Sequence, residues 1–172
     1  MDRLKRNPGA WGLVLGAAVA AVAMLLTWIE VTNSAGASEQ YTAIETVTGK
    51  SLLGLAILTV LSGVGVIASR AGGRFVWAFL GLVGGGVLLA ASVWAIADPA
   101  GFTTFAVKSE AVTKLMSGPA VQQSGEAVQA AFADGSLTAS AQLGAVIALV
   151  GASLATLGAL LSFRRPVAST DS

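Results

Sequence analysis

The chain has 172 residues, 55% of them hydrophobic and only 11% charged, with a formal net charge of +1, whereas soluble domains carry roughly 25% charged residues. It contains no cysteine and no histidine, which removes disulfides, thiolate nucleophiles, imidazole acid–base chemistry and the usual zinc, haem and iron–sulfur ligand sets, so no cofactor is expected. Its few Lys and Arg residues form no basic patch that would suit nucleic acid.

Four apolar runs, at about 11–30, 52–69, 75–97 and 143–163, each approach the ~20 residues a helix needs to cross ~30 Å of hydrocarbon. The expected fold is therefore all-α, a single membrane domain built as a four-helix transmembrane bundle. Its outer segments fall at about 31–51 and 98–142, with short helices in the second.

Arg3, Lys5 and Arg6 precede the first span, Arg70 and Arg74 flank the second connection, and Arg164 and Arg165 follow the last. The other side carries only Lys50, Lys108 and Lys114, so the positive-inside rule places both termini in the cytoplasm of a plasma-membrane protein. Trp and Tyr rings favour the headgroup level, which makes Trp11 and Trp77 inner interface anchors and Trp28 and Trp94 outer ones, with Phe75, Phe163 and Phe102 beside them. The start also has the outline of a secretory signal ending at Ala35-Gly36-Ala37. Its apolar stretch outruns the usual 7–15 residues, so an uncleaved span is expected.

In the first outer segment, Tyr41–Val47 alternates in the manner of a short strand, and Ser51 is placed to cap the second helix. Gly49-Lys50-Ser51 lacks the earlier glycine of a phosphate loop. Only Ala71, Gly72 and Gly73 separate Arg70 from Arg74, so the second and third spans must form a tight antiparallel hairpin. The third span holds Gly84-Gly85-Gly86, the one place where it would unwind.

The second outer segment is punctuated at Asp98-Pro99, Gly118-Pro119 and Asp134-Gly135-Ser136, leaving two helical stretches, Thr103–Met116 and Ala120–Ala133. Glu30, Asp98, Phe105, Leu115 and Phe132 are the candidate outer contact residues. If Phe105, Leu115 and Phe132 pack onto the span ends the segment is a lid, and if they face water they form a contact patch.

Lipid provides no hydrophobic drive between helices, so small residues that allow close backbone approach mark the packing faces. These are Gly12 and Gly16 in the first span, Gly81 and Gly85 in the third, and Gly144, Ala148, Gly151, Ala155 and Gly158 in the fourth. They hold the chain's own helices together, or else form a homo-oligomer seam. No ionisable residue lies near a span centre, where coupled transporters usually keep a carboxylate. The intramembrane hydroxyls have no base beside them.

Leu26-Thr27-Trp28-Ile29-Glu30-Val31, Thr48-Gly49, Leu55-Ala56, the Arg70 and Arg74 hairpin, Gly81 and Gly84, Trp94-Ala95-Ile96-Ala97-Asp98 and the closing Arg164-Arg165 together resemble the actinobacterial tryptophan-biosynthesis-associated membrane proteins. The resemblance covers the first ~100 residues and the last ~30, and implies an integral membrane protein with no catalytic residues to carry over. The function expected is a non-enzymatic accessory protein of the lipid bilayer that meets a membrane-protein partner through its outer segments, the alternative being a small oligomeric transporter or channel.

Overall fold

The computed structural model describes residues 7–46, 48–69, 71–107, 112, 115–116 and 125–163. Arg3, Lys5, Arg6, Arg70, Arg164 and Arg165, on which the topology expectation chiefly rests, lie outside them, as do Lys108 and Lys114.

Helix α1 (Pro8–Ala23) opens with Pro8 in its first turn, and the Asn7 side chain accepts from the Ala10 amide at 3.3 Å. At 16 residues it is about 24 Å long. The first apolar run does not stay helical to residue 30. Thr27, Ile29, Val31 and Thr32 are β-branched, and this crowding around Trp28 favours extended backbone; the chain turns at Met24–Leu26 and enters strand β1 (Thr27–Asn33).

A hairpin returns as β2 (Ser38–Thr42), and β3 (Leu137–Ala141) arrives from the second outer segment to complete an antiparallel sheet in the order β2-β1-β3. The all-α expectation therefore fails at this sheet. In register, Glu30 faces Gln40 and Ser140, while Ile29 faces Tyr41 and Ala141. The pairing with β2 slips between Thr27 and Ile29, so Trp28 leaves the alternation and is buried alongside Ile29. Gly36, with φ +85°, makes the hairpin tip within Ala35-Gly36-Ala37, and Asn33 Oδ1 accepts from the amides of Ala35 (3.1 Å) and Ala37 (2.9 Å). Gly135, φ +79°, turns the chain into β3, with Ser136 N donating to Asp134 Oδ1 at 2.8 Å.

The expected strand over Tyr41–Val47 stops at Thr42, and a 3-10 turn follows at Ala43–Glu45. Helix α2 (Gly49–Ala68) starts three residues earlier than a Ser51 cap would place it, with Thr48 at the cap position. Helix α3 (Ala71–Ala97) runs unbroken through Gly84-Gly85-Gly86. Helix α4 (Pro99–Ala106) begins four residues before the expected Thr103–Met116 helix, because Asp98 caps it through Gly101 N at 2.9 Å and Pro99 fits its first turn; residues 108–111 and 113–114 of that expected helix lie outside the described residues. Helix α5 (Gly125–Ala133) covers the described part of the second expected helix, and α6 (Leu143–Ser162) matches the last apolar run.

Of these, α2, α6 and the Gly73–Ala97 part of α3 are long and apolar enough to cross a membrane, which marks the protein as membrane-embedded; α1 is a shorter apolar helix. Large apolar side chains including Leu15, Val22, Leu58, Phe79 and Leu157 are exposed along the four helices. One buried cluster joins Met24, Trp28, Val31, Phe102, Leu115, Val128 and Leu137, in a head formed by the sheet with α4 and α5, to the adjoining helix ends, and a second holds Ala10, Leu13, Ala17, Ala78, Ala155 and Ala159 deeper in the bundle.

Candidate functional site

The helices meet where side chains are smallest. A methyl group added at Gly16 would lie 2.6 Å from Gly151 O, one at Gly151 2.6 Å from Ala20 N, and one at Gly158 2.6 Å from both Gly12 C and Gly9 O. These positions tie α1 to α6 along an antiparallel seam, with Ala148 and Ala155 fully buried. Gly12 is less tight, 3.4 Å from Gly158 Cα. A methyl added at Gly144 would lie 2.5 Å from Thr27 O, Gly81 receives Leu13 from α1, and Gly85 faces Thr156.

Several hydroxyls within the bundle bond their own helix one turn back. Thr59, Ser62, Ser92 and Thr156 donate at 2.8 Å to the carbonyls of Leu55, Leu58, Leu88 and Ala152. Among the described residues, no group of three or more acidic side chains is placed to hold a metal ion.

The anchor residues divide. Trp11, Trp77 and Trp94 keep a substantial exposed face, but Trp28 is fully buried. Its Nε1 donates at 2.8 Å to Ala23 O, a carbonyl that also accepts from the Leu26 amide at 3.1 Å in the turn closing α1. The expectation of an outer interface ring at Trp28 is thus corrected: it is a core residue of the head. Phe75 and Phe163 meet edge to face at 5.2 Å near the opposite end of the bundle, beside Arg74.

The outer contact residues divide as well. Leu115 is 8% exposed, and its carbonyl accepts from Asn33 Nδ2 at 2.9 Å, so this part of the second outer segment is packed down. Phe132 is half-buried. Phe105 is 61% exposed. It ends a ladder of rings in which Trp28 stacks on Phe102 (6.0 Å), Phe102 meets Trp94 edge-on (5.8 Å), and Trp94 meets Phe105 (5.1 Å). Sequence reading named all four separately, as anchors or contacts; what it lacked was that α4, after the break at Asp98-Pro99, brings its two rings against Trp94. Beside the outer rings lies an open cleft of about 570 Å³ lined in part by Asp98, Thr104, Gln129 and Phe132.

Glu30 lies on the opposite side of the sheet from Ile29 and Val31. Gln142 Nε2 donates to its carboxylate at 2.8 Å and to Ser140 Oγ at 3.1 Å, which with Gln40, Thr32 and Thr138 makes a polar sheet face. On the covered side, the Tyr41 hydroxyl donates to Glu39 at 2.8 Å, and burial first, then that carboxylate, pushes the phenol well above its ordinary value. No protein-family model matches the chain, and neither does any curated protein or solved structure.

Proposed function

We propose that the chain is a four-span plasma-membrane protein with both termini cytoplasmic, and that it serves as a non-enzymatic accessory whose outer head binds a membrane-protein partner. The observation that carries this reading is the sheet itself. β1 and β2 come from the first outer segment and β3 from the second, about a hundred residues later, and all three share one buried core around Trp28. Two outer segments fused this way form a fixed surface, and its solvent side presents hydrogen-bonding groups around Glu30, Gln40, Ser140 and Gln142. A rigid surface binds with little ordering cost.

Membrane spanning is supported by the length and apolarity of α2, α3 and α6 and by the exposed aliphatic faces of all four helices. The shorter α1 reaches across together with the chain leading to β1. The self-satisfied hydroxyls argue against the transporter alternative, which would need polar groups turned toward a shared path. The resemblance to tryptophan-biosynthesis-associated membrane proteins, carried by the segments around Trp28, Arg70, Arg74 and Trp94, implies a plasma-membrane protein of unassigned activity and belongs to the same proposal.

The test is a photoreactive residue at Thr138, on the polar face, in intact cells. A single crosslinked membrane protein, lost when Glu30→Lys reverses the charge of that face while the thermal midpoint is kept, is the expected result. Adducts only to lipid or to the chain itself, from Thr138 and from Gln40 alike, would overturn the accessory role. Labelling of a lone cysteine at Thr138 by an impermeant maleimide tests the orientation separately.

A further inference from the structure

Along α3, Val83, Val87, Ala90, Trp94 and Ala97 recur at spacings of 4, 3, 4 and 3 and are all exposed, forming one apolar stripe. The cleft beside Trp94 and Phe105 opens at the end of this stripe, where α3 gives way to α4. Under the membrane reading just proposed, on which this inference rests, the stripe faces acyl chains and the cleft sits at the headgroup level of the outer leaflet. Trp94 at 39% exposure and Phe105 at 61% are suited to that layer, in which aromatic rings concentrate.

The charge of the cleft selects among headgroups. Asp98 is the ionisable group among its described lining residues, and Thr104 and Gln129 are neutral. The Asp98 carboxylate already caps the N-terminus of α4 through Gly101 N, so that helix end is not free to attract a phosphate. What remains is a carboxylate in a cleft that Trp94, Phe105 and Phe132 also line, a setting that favours a cation through ion pairing and ring attraction. We infer that this cleft seats the headgroup of an outer-leaflet phospholipid that carries an ammonium group.

The absence of cysteine makes the test clean. Ala97→Cys places a fluorescent label beside the cleft, and Val83→Cys places one on the same stripe away from it. The full chain is reconstituted in vesicles containing equal amounts of phosphatidylethanolamine and phosphatidylglycerol, with bromine quencher on the acyl chains of one or the other. At position 97 the ethanolamine lipid should quench about threefold more strongly, the ratio expected of one weak ion pair with ring attraction; at 83 the two should quench alike. Asp98→Asn keeps the cap, since asparagine caps as well as aspartate, and should bring the ratio at 97 to about one. Equal quenching at 97 in the parent, or a ratio that Asp98→Asn leaves unchanged, overturns the inference. A label quenched at 83 but not at 97 places the cleft in water and also overturns it, with the membrane reading intact. If neither label is quenched, the membrane reading itself has failed.

Discussion

Replacing Gly151 with alanine tests whether the α1–α6 seam is set by backbone contact. The added methyl would lie 2.6 Å from Ala20 N and 2.7 Å from Gly16 O, and both are backbone atoms that cannot swing aside. Restoring an ordinary separation of about 3.4 Å means moving the helices apart by about 0.8 Å, and a gap of that size forfeits a quarter to a half of each dispersion contact it opens. The loss spreads along the seam, because Gly9, Gly16 and Gly158 rely on the same approach. Overpacking of this kind costs roughly 1–3 kcal/mol. Gly86 supplies the internal control: a methyl there meets nothing within 4 Å, and alanine is the better helix former by about 1 kcal/mol. Thermal unfolding in mild detergent, followed by far-ultraviolet circular dichroism, should show Gly151→Ala lowered and Gly86→Ala unchanged or raised. Equal midpoints for the two variants, or a lower one for Gly86→Ala, would refute the claim that close backbone approach holds these helices.

Trp28→Phe keeps most of the ring burial but removes the 2.8 Å bond to Ala23 O, which retains the Leu26 amide, so a loss of about 0.5–1.5 kcal/mol is expected; Trp94→Phe, at an exposed ring, should cost less in the same denaturation series. Asn33→Ala removes the bonds to Ala35 N, Ala37 N and Leu115 O together, and should destabilise the head by about 2 kcal/mol and expose the hairpin to limited proteolysis, while Asn33→Asp, which retains the acceptor, should fall between. For Tyr41 the sign follows from its raised value in the fold: the unfolded chain releases this proton near pH ~10 and the folded head retains it, so stability is intact below about pH 10 and falls as pH rises above it. Tyr41→Phe should flatten that alkaline decline, and an unchanged decline in the variant would assign it to other groups.

The long apolar helices were legible because strong hydropathy sustained over about 20 residues is seldom reached except by a segment that crosses a bilayer. The end of α1 was not. Leu25–Ile29 is as apolar as what precedes it, and transfer free energy does not distinguish a helix from a strand; only the β-branched pattern of Thr27, Ile29, Val31 and Thr32 carried that signal. Strand β3 had even less to show. Leu-Thr-Ala-Ser-Ala is short and weakly alternating, and its pairing partner lies far off in the chain, with Thr138 donating to the carbonyl of Thr32 across 106 positions. Trp28 fitted an interface ring by sequence position alone, because the two readings differ only in whether its N–H meets water or a carbonyl.

The glycine run in α3 shows how far periodicity can be taken. Successive residues on a helix point about 100° apart, so Gly84, Gly85 and Gly86 cannot all serve one face. A methyl at Gly84 would strike Thr59 of α2, one at Gly85 would strike Thr156 of α6, and one at Gly86 would enter open space. Two neighbouring glycines therefore let α3 wedge between α2 and α6, each relieving a different contact. The GxxxG register selected Gly81 and Gly85 as packing positions without saying what each meets: Gly81 receives Leu13 of α1 and Gly85 faces α6. Spacing along one helix identifies positions that are small, while the partner each one meets is decided by how the other three helices surround it, and that information is distributed over all of them.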